Sequence, residues 1–162
     1  MSILLRPMTA GEYEHFYRQS IELEAKERMK DDRLSPALAH SEAEKAFTQL
    51  LPQGLNTPSH FLMTLEAEDT HQPIGFLWTL HEETDGIKQN FLCDFLIYEP
   101  HRRRGYGTQA VKCMESHAAE AGCRESVLFV AEHNHAALSL YQKCGYRFLR
   151  SIKNGSYMIK TL

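Results

Sequence analysis

The sequence predicts a mixed α/β, layered α+β fold in which a central mixed β-sheet is flanked by helices. Three observations lead to this prediction: short apolar runs bounded by turn residues, amphipathic segments that begin with capping signals, and the alternation of the two along the chain. From the N-terminus, the predicted order is β-α-α-β-β-β-α-β-α-β-β. A length of 162 residues suits one domain that covers positions 1–162.

The N-terminal part of the chain predicts a strand and a long helix. The apolar run Ile3–Arg6 is a short strand that stops before Pro7. Thr9 and Glu12 have the spacing of a capping box, in which each side chain bonds to the other residue's backbone N–H. The aromatic residues that follow recur at helical spacing, which predicts a helix to about Lys30.

A second helix is predicted after a polar stretch. Residues Asp31–His40 are polar and are interrupted by Pro36, which is typical of a loop. The segment Ser41–Glu44 has the pattern of a second capping box, and apolar residues then follow at helical spacing as far as Leu50. The second helix is therefore predicted over about residues 41–50.

The middle of the chain predicts three strands. They are His60–Glu66, Ile74–Leu80 and Phe91–Tyr98. The third strand is almost entirely apolar and ends before Pro100, so we expect it to be central and buried on both faces.

The last third predicts two helices, a strand between them and a closing hairpin. An apolar stripe runs from Gly107 to Ala121, Asn134 is a suitable N-cap, and Asn154-Gly155 is a strong hairpin turn signal. The other predicted elements are the buried strand Val127–Val130, the helix from Asn134 to Gly145, and the strands Tyr146–Ile152 and Tyr157–Lys160.

Composition excludes several classes of function. A net charge of −3 provides no general basic field, so we expect no nucleic-acid partner. No apolar run reaches membrane-spanning length, and the N-terminus lacks the charge order of a signal peptide, so no membrane partner is expected. The four cysteines form no C-x-x-C pair and suit reduced, mostly buried thiols in a cytoplasmic protein.

A loop rich in arginine and glycine separates the third middle strand from the next helix. It contains the run Arg102–Arg104 and the glycines Gly105 and Gly107. The first turn of a helix leaves N–H groups unpaired, and glycine lets backbone come close to a ligand. Arginine side chains add charge-assisted hydrogen bonds. The loop is therefore predicted to bind a pyrophosphate.

Different proteins use such loops. A P-loop requires a lysine after the last glycine, and here Thr108 follows Gly107 directly. The spacing Gly105-x-Gly107-x-x-Ala110 also accepts a dinucleotide-binding fold, although that fingerprint normally follows the first strand of a domain. A nicotinamide-dependent oxidoreductase therefore stays open on spacing alone.

Two motifs together resemble the GNAT superfamily of N-acetyltransferases. Arg102-x-x-Gly105-x-Gly107 is similar to the family's R/Q-x-x-G-x-G/A signature, and the segment from Asn134 to Tyr146 is similar to its N-x-x-A-x-x-L-Y-x-K-x-G-F/Y segment. The segments at 50–58 and 94–100 further resemble an uncharacterised bacterial subgroup found in bacilli. Nearly the whole chain is then covered by the resemblance.

The resemblance implies a GNAT fold and a reaction in which an acetyl group passes from acetyl-coenzyme A to a primary amine. It implies that the backbone at Leu96, Ile97 and Tyr98 pairs with the pantetheine arm. It also implies a polar contact from Asn134, which has a plain interpretation as a helix cap. The remaining cofactor-binding residues implied are Arg102, Arg103, Arg104, Gly105, Tyr106, Gly107 and Thr108.

Catalytic roles are implied for one tyrosine and left open for the base. Spacing alone favours Tyr141 as a core aromatic, whereas the resemblance implies that its hydroxyl protonates the departing thiolate. Asp94 is the acid inside the third middle strand, and a catalytic role and a structural hydrogen bond are both open for it. Three first-helix acids are further candidates to line the acceptor site, although surface solvation also explains them: Glu22, Glu24 and Glu27.

The remaining expectations concern metals and partners. His133 and His135 lack a third ligand nearby in sequence, so we expect no metal. The expected acceptor is a small-molecule or peptide amine, and a homodimer stays open. The alternative within the same fold is a non-catalytic module that binds acyl-coenzyme A.

Overall fold

The computed structural model describes residues 2–31 and 33–162 of the chain. Its strands and helices follow the order predicted from the sequence, with two added 3₁₀ turns at Gly54–Asn56 and Glu99–His101. The strands are β1 Ile3–Pro7, β2 His60–Ala67, β3 Pro73–Thr84, β4 Ile87–Ile97, β5 Glu125–Ala131, β6 Arg147–Ile152 and β7 Gly155–Thr161. The helices are α1 Ala10–Asp31, α2 Pro36–Leu50, α3 Tyr106–Glu120 and α4 His135–Lys143.

The chain divides into two compact units. One is a helical unit, Met8–His60, which contains α1 and α2. The other, the sheet unit, is formed by Met1–Pro7 and Phe61–Leu162. Helices α3 and α4 belong to the sheet unit, and every residue of the candidate site described below lies there.

The helical unit shows why local capping decides where helices begin. In α1, the Thr9 N–H donates to Glu12 Oε1 over 2.8 Å, and the Glu12 N–H donates to Thr9 Oγ1 over 3.1 Å, as the capping box predicts. The predicted start of α2 is wrong. Ser35 caps this helix and Pro36 occupies its first turn, where proline's missing N–H costs nothing. The proline that suggested a loop therefore opens the helix.

The sheet unit is built on one mixed, seven-stranded sheet. Its strand order is β1-β2-β3-β4-β5-β7-β6. Strands β4 and β5 are parallel, whereas the pairs β1–β2, β3–β4, β5–β7 and β6–β7 are antiparallel. One core cluster joins the sheet to α3 and α4, and its fully buried members include Leu65, Ile74, Leu77, Ala110, Val111, Met114 and Leu128.

Strands β3 and β4 are longer than the sequence predicts. They form one hairpin whose turn residues, Asp85 and Gly86, both have positive φ (54° and 78°). An Asp-Gly pair between apolar segments is a strong hairpin signal, and it would have located this turn. The closing hairpin also differs from the prediction: Lys153 and Asn154 form its turn, and Gly155 is the first residue of β7.

The expected burial of β4 and β5 is partly wrong. Within β4 only Asn90 and Leu92 are buried, so this strand is not enclosed on both faces. In β5, Phe129 is 39% exposed although its neighbours Leu128 and Val130 are buried. An apolar run does not by itself determine which face of a strand is buried, because tertiary contacts decide which side is covered. Both departures occur at the candidate site.

Candidate functional site

The candidate site begins where two parallel neighbours separate. Strand β4 pairs with β5 only as far as Leu92 and Leu128, although β4 continues to Ile97 and β5 to Ala131. The pairing of β4 with β3 shifts at the same point, because Thr79 opposes Leu92 and Trp78 opposes Asp94. Cys93 is therefore the extra residue of a β-bulge, which bends a strand and raises its local twist. The result is a cleft between the C-terminal ends of β4 and β5.

The start of helix α3 faces one end of this cleft. Gly105 is the N-cap with φ of 80°, and no side chain caps the helix. The amides of Gly107 and Thr108 fall in the first turn, which has no intrahelical acceptors for them. A backbone with positive φ and open space around it favours glycine at position 105. The N-terminus of α3 therefore presents unpaired N–H groups and the positive end of the helix dipole at the cleft.

Arg102 ties the loop to the strand. Its Nε donates a hydrogen bond to the Ile97 carbonyl oxygen over 2.8 Å. The guanidinium group thereby fixes the end of β4 relative to the helix start. Arg103 is exposed and has φ of 63°, so it adopts the left-handed conformation next to the Gly105 turn.

The cleft has two connected parts. The larger has a volume of about 600 Å³ and lies against the loop and the start of α3. The smaller has a volume of about 190 Å³ and lies between β4 and β5. Four residues line both parts: Phe95, Asn134, Ala137 and Tyr141.

Most residues singled out from the sequence line this cleft. The larger part is lined by Leu96, Ile97, Arg102, Arg103, Gly105, Tyr106, Gly107, Asn134 and Tyr141. The smaller part is lined by Asp94, Asn134 and Tyr141. Tyr98, Arg104 and Thr108 are not among the lining residues of either part.

Several lining residues were not singled out as site residues from the sequence. They are Leu92, Cys93, Phe95, His101, Phe129, Val130, Ala131, Ala136, Ala137 and Leu140. His101 belongs to the arginine-rich loop, so loop membership was an available signal for it. The resemblance to the GNAT superfamily offered a signal for position 129, where some members carry a glutamate on the fifth strand, but the exposure of Phe129 follows from the separation of β4 and β5.

Tyr141 lies at the junction of the two parts and is 7% exposed. Burial raises the pKa of its hydroxyl to about 12, and the negative charges of Asp94 and the Cys144 thiolate act in the same direction. The hydroxyl therefore keeps its proton throughout the physiological range and can donate it in a hydrogen bond. The ring belongs to the core cluster, and the residue also lines both parts of the cleft.

Asp94 lies in the smaller part of the cleft, where its side chain is more exposed than expected of a central strand. The surrounding protein nevertheless removes enough water to raise the pKa of its carboxyl. The backbone N–H of Phe95 donates to Asp94 Oδ1 over 2.9 Å and opposes this rise. The expected hydrogen bond is present, and the carboxylate also faces an open cavity.

Asn134 caps α4 through a hydrogen bond from the Ala137 N–H to Oδ1, 3.1 Å long.

The first-helix acids belong to the helical unit, where Glu24 accepts from Arg28 over 3.0 Å and Glu22 and Glu27 are exposed. Across residues 2–31 and 33–162, no three potential metal-ligating side chains gather into a cluster. None of the helices in this described part is both long and apolar enough to span a bilayer.

Comparison with known proteins places this geometry in a family. The model of the Acetyltransferase (GNAT) family matches residues 22–146. The "uncharacterized N-acetyltransferase" YycN of Bacillus subtilis is 34% identical over 148 residues, which is 91% of this chain and 94% of that protein. The crystal structure of YycN superimposes with a TM-score of 0.81 at 32% identity, covering 93% of this chain and 96% of that one.

More distant solved structures share the fold. The PaiA N-acetyltransferase of Thermoplasma acidophilum, in complex with coenzyme A, has a TM-score of 0.70 at 17% identity and covers 100% of both chains. The spermidine N-acetyltransferase of Vibrio cholerae, in complex with coenzyme A and spermine, has a TM-score of 0.68 at 15% identity, covering 99% of this chain and 95% of that one. From the family match and the YycN relationship, this chain belongs to the GNAT family of acetyltransferases.

Proposed function

We propose that the chain is an N-acetyltransferase that moves an acetyl group from acetyl-coenzyme A to a primary amine by direct attack. The observation that carries this proposal is the position of Tyr141, which lines both the part of the cleft beside the N-terminus of α3 and the part that contains Asp94. We further propose that residues 1–162 act as one catalytic domain.

The larger part of the cleft suits coenzyme A. Its volume of about 600 Å³ lies within the usual range for cofactor sites. Beyond Leu92 the edge of β4 does not pair with β5, and Leu96 and Ile97 line the larger part of the cleft, so this edge would receive the pantetheine arm beside the Ile97 carbonyl that Arg102 already holds. Tyr98 follows Ile97 in the chain, and its backbone N–H donates to the Ile74 carbonyl of β3, so any contact that Tyr98 makes with the arm would involve its other groups.

The helix end suits the pyrophosphate. A side chain at Gly105 would project into open space, so the glycine keeps a path free to the amides behind it. Arg103 lines the same part of the cleft and adds positive charge. Arg104 completes the loop, Tyr106 and Thr108 belong to the first turn of α3, and Asn134 would lie beside the pantetheine arm.

Acetyl-coenzyme A would supply the acetyl group as an activated thioester. Asp94 takes one proton from the acceptor ammonium, which exposes the nitrogen lone pair. The nitrogen bonds to the carbonyl carbon, and the carbon–sulfur bond breaks with its electrons on sulfur. The nitrogen then loses a second proton. One proton ends on the sulfur, so each turnover releases the N-acetylated acceptor, the free thiol and one proton.

Tyr141 would stabilise the departing sulfur. With a pKa near 12, its hydroxyl is a weaker acid than a thiol, whose ordinary pKa is about 8.5. It therefore acts first as a hydrogen-bond donor to the developing thiolate. This interaction forms only as the carbon–sulfur bond breaks, so it lowers the barrier without tightening the ground state.

Two measurements test the proposal. Acetyl-coenzyme A at a hundred times its dissociation constant should stabilise the fold by about 2.7 kcal/mol, whereas NAD should not. Incubation with a panel of primary amines should release free thiol and yield N-acetylated product. Binding without turnover on any amine would favour the non-catalytic module, and stabilisation by NAD alone would favour the oxidoreductase.

A further inference from the structure

The Phe129 side chain is held in an exposed position by the structure around it. An ideal Cβ at Gly155 would lie 2.4 Å from Phe129 Cζ and 2.6 Å from Phe129 Cε2. The ring therefore occupies the space that any other residue at 155 would fill. It remains 39% exposed and lines the smaller part of the cleft. A large apolar ring fixed at a cavity wall is available to contact a ligand.

The guanidinium group of Arg150 lies beyond the Phe129 ring, on the far side of Tyr157. The rings of Phe129 and Tyr157 lie with centroids 5.6 Å apart, and Arg150 Cζ lies 4.9 Å from the Tyr157 centroid. The sheet therefore presents, in order, an aromatic wall, a second ring and a guanidinium group. A ligand that extends past Phe129 along this series approaches a positive charge.

The charge inside the smaller part is a single negative one. Of the described residues that line it, Asp94 is the one with a carboxyl group, and none carries a basic side chain. The volume of about 190 Å³ admits the end of a slender molecule rather than a bulky one. A carboxylate facing an aromatic wall suits one ammonium group followed by an apolar stem.

We propose that this end of the cleft selects a primary amine on a slim apolar stem whose far end is neutral or anionic rather than a second cation. The inference rests on the proposed acetyl transfer and names its acceptor class. The ammonium lies at Asp94, the stem packs against Phe129, and Arg150 repels a second positive charge. Polyamines are thereby disfavoured.

Three acceptors of equal length test the charge rule: hexylamine, 6-aminohexanoate and 1,6-diaminohexane. We expect kcat/KM for hexylamine and 6-aminohexanoate to exceed that for the diamine by about tenfold. The substitution Arg150→Glu should reverse the order, because the charge beyond the wall changes sign. A diamine that equals or exceeds the other two in the native protein would overturn the inference.

Two variants test whether the acceptor stem contacts Phe129. Phe129→Ala should raise the KM of hexylamine about tenfold and leave the KM of acetyl-coenzyme A unchanged. Calorimetric titration of hexylamine into the protein should show the same loss of affinity without any turnover. Phe148→Ala is the matched control, because Phe148 is 61% exposed and lines neither part of the cleft.

The outcomes separate the two proposals. Thiol release with an unchanged hexylamine KM in Phe129→Ala overturns the acceptor inference and leaves acetyl transfer standing. Absence of thiol release with every amine, in a protein that binds acetyl-coenzyme A, overturns the proposed function and the acceptor inference with it.

Discussion

Phe129 and Gly155 are packed so closely that only glycine fits at position 155. An added Cβ would also lie 2.4 Å from the Val130 carbonyl oxygen, which is backbone and cannot move aside. Gly155 has no positive φ, so space rather than backbone conformation requires the glycine. The absence of a side chain at position 155 therefore links the packing of the β6–β7 hairpin to the position of the Phe129 ring in the cleft wall.

Gly155→Ala should destabilise the protein by about 1–3 kcal/mol, the usual cost of overpacking. Displacement of the Phe129 ring should also raise the KM of the acceptor. Urea denaturation measures the first effect. Gly11→Ala is the control, because no atom lies within 4 Å of its added Cβ and alanine favours a helix. Equal stability of Gly155→Ala and the native protein would contradict the packing described here.

Gly105→Asp should weaken acetyl-coenzyme A binding far more than it weakens folding. Position 105 has φ of 80° and open space, so the substitution costs backbone strain but causes no clash. The added carboxylate would repel the pyrophosphate at the helix start. Gly105→Asn has the same shape, tolerates positive φ and carries no charge. Calorimetry should therefore show a much larger loss of affinity for aspartate, and equal losses would place the pyrophosphate elsewhere.

Tyr141→Phe should lower kcat and leave the affinity for acetyl-coenzyme A unchanged. The ring retains its core contacts, including the edge-to-face contact with Tyr146 at 5.9 Å. General acid catalysis typically contributes about 10²–10⁴-fold, which sets the expected loss. Tyr13→Phe in the helical unit is the control for loss of a hydroxyl. Full activity in Tyr141→Phe would make the residue a core aromatic alone.

His81 should make the stability of the protein depend on pH. The ring is 5% exposed, and the interaction of its nitrogens with the Asn90 side chain opposes only part of the cost of burying the charged form. Burial lowers its pKa to about 4, and the charges of His117 and Lys88 add to the effect. The unfolded chain has an ordinary histidine pKa of about 6.5 and binds the proton first as pH falls. Stability should therefore decline from pH 6.5 to pH 4.

His81→Gln should flatten this decline, measured as the urea midpoint at each pH. His133→Gln is the control, because His133 is exposed and should leave the slope unchanged. A native protein and a His81→Gln variant with the same slope would show that other groups carry the pH dependence.

The sequence predicts the elements of this fold well because their local signals agree with the tertiary structure. The capping box at Thr9, the cap at Asn134 and the start of α3 after Gly105 all depend on residues close together in the chain. The start of α2 at Pro36 differs from the prediction because a proline suits both a loop and a first helical turn, and here Ser35 caps the helix immediately before it.

The candidate site was predicted unevenly for a physical reason. The arginine-rich loop and Tyr141 belong to motifs with fixed spacing, so they can be recognised without a structure. The exposure of Phe129 depends on where β4 and β5 stop pairing and on the space that Gly155, 26 residues further along the chain, leaves for the ring. Such long-range contacts leave no periodic trace in the sequence.

The bulge at Cys93 has a consequence for comparing this chain with its relatives. Side chains alternate between faces along a strand, and one extra residue reverses that alternation for everything after it. A relative without the extra residue would present its counterpart of Asp94 on the opposite face, even in an alignment that shows the same letter. An equivalent of Asp94 in another member of this family should therefore be assigned only after the number of residues in the bulge has been compared, because an alignment of residue types alone does not show which face the side chain is on.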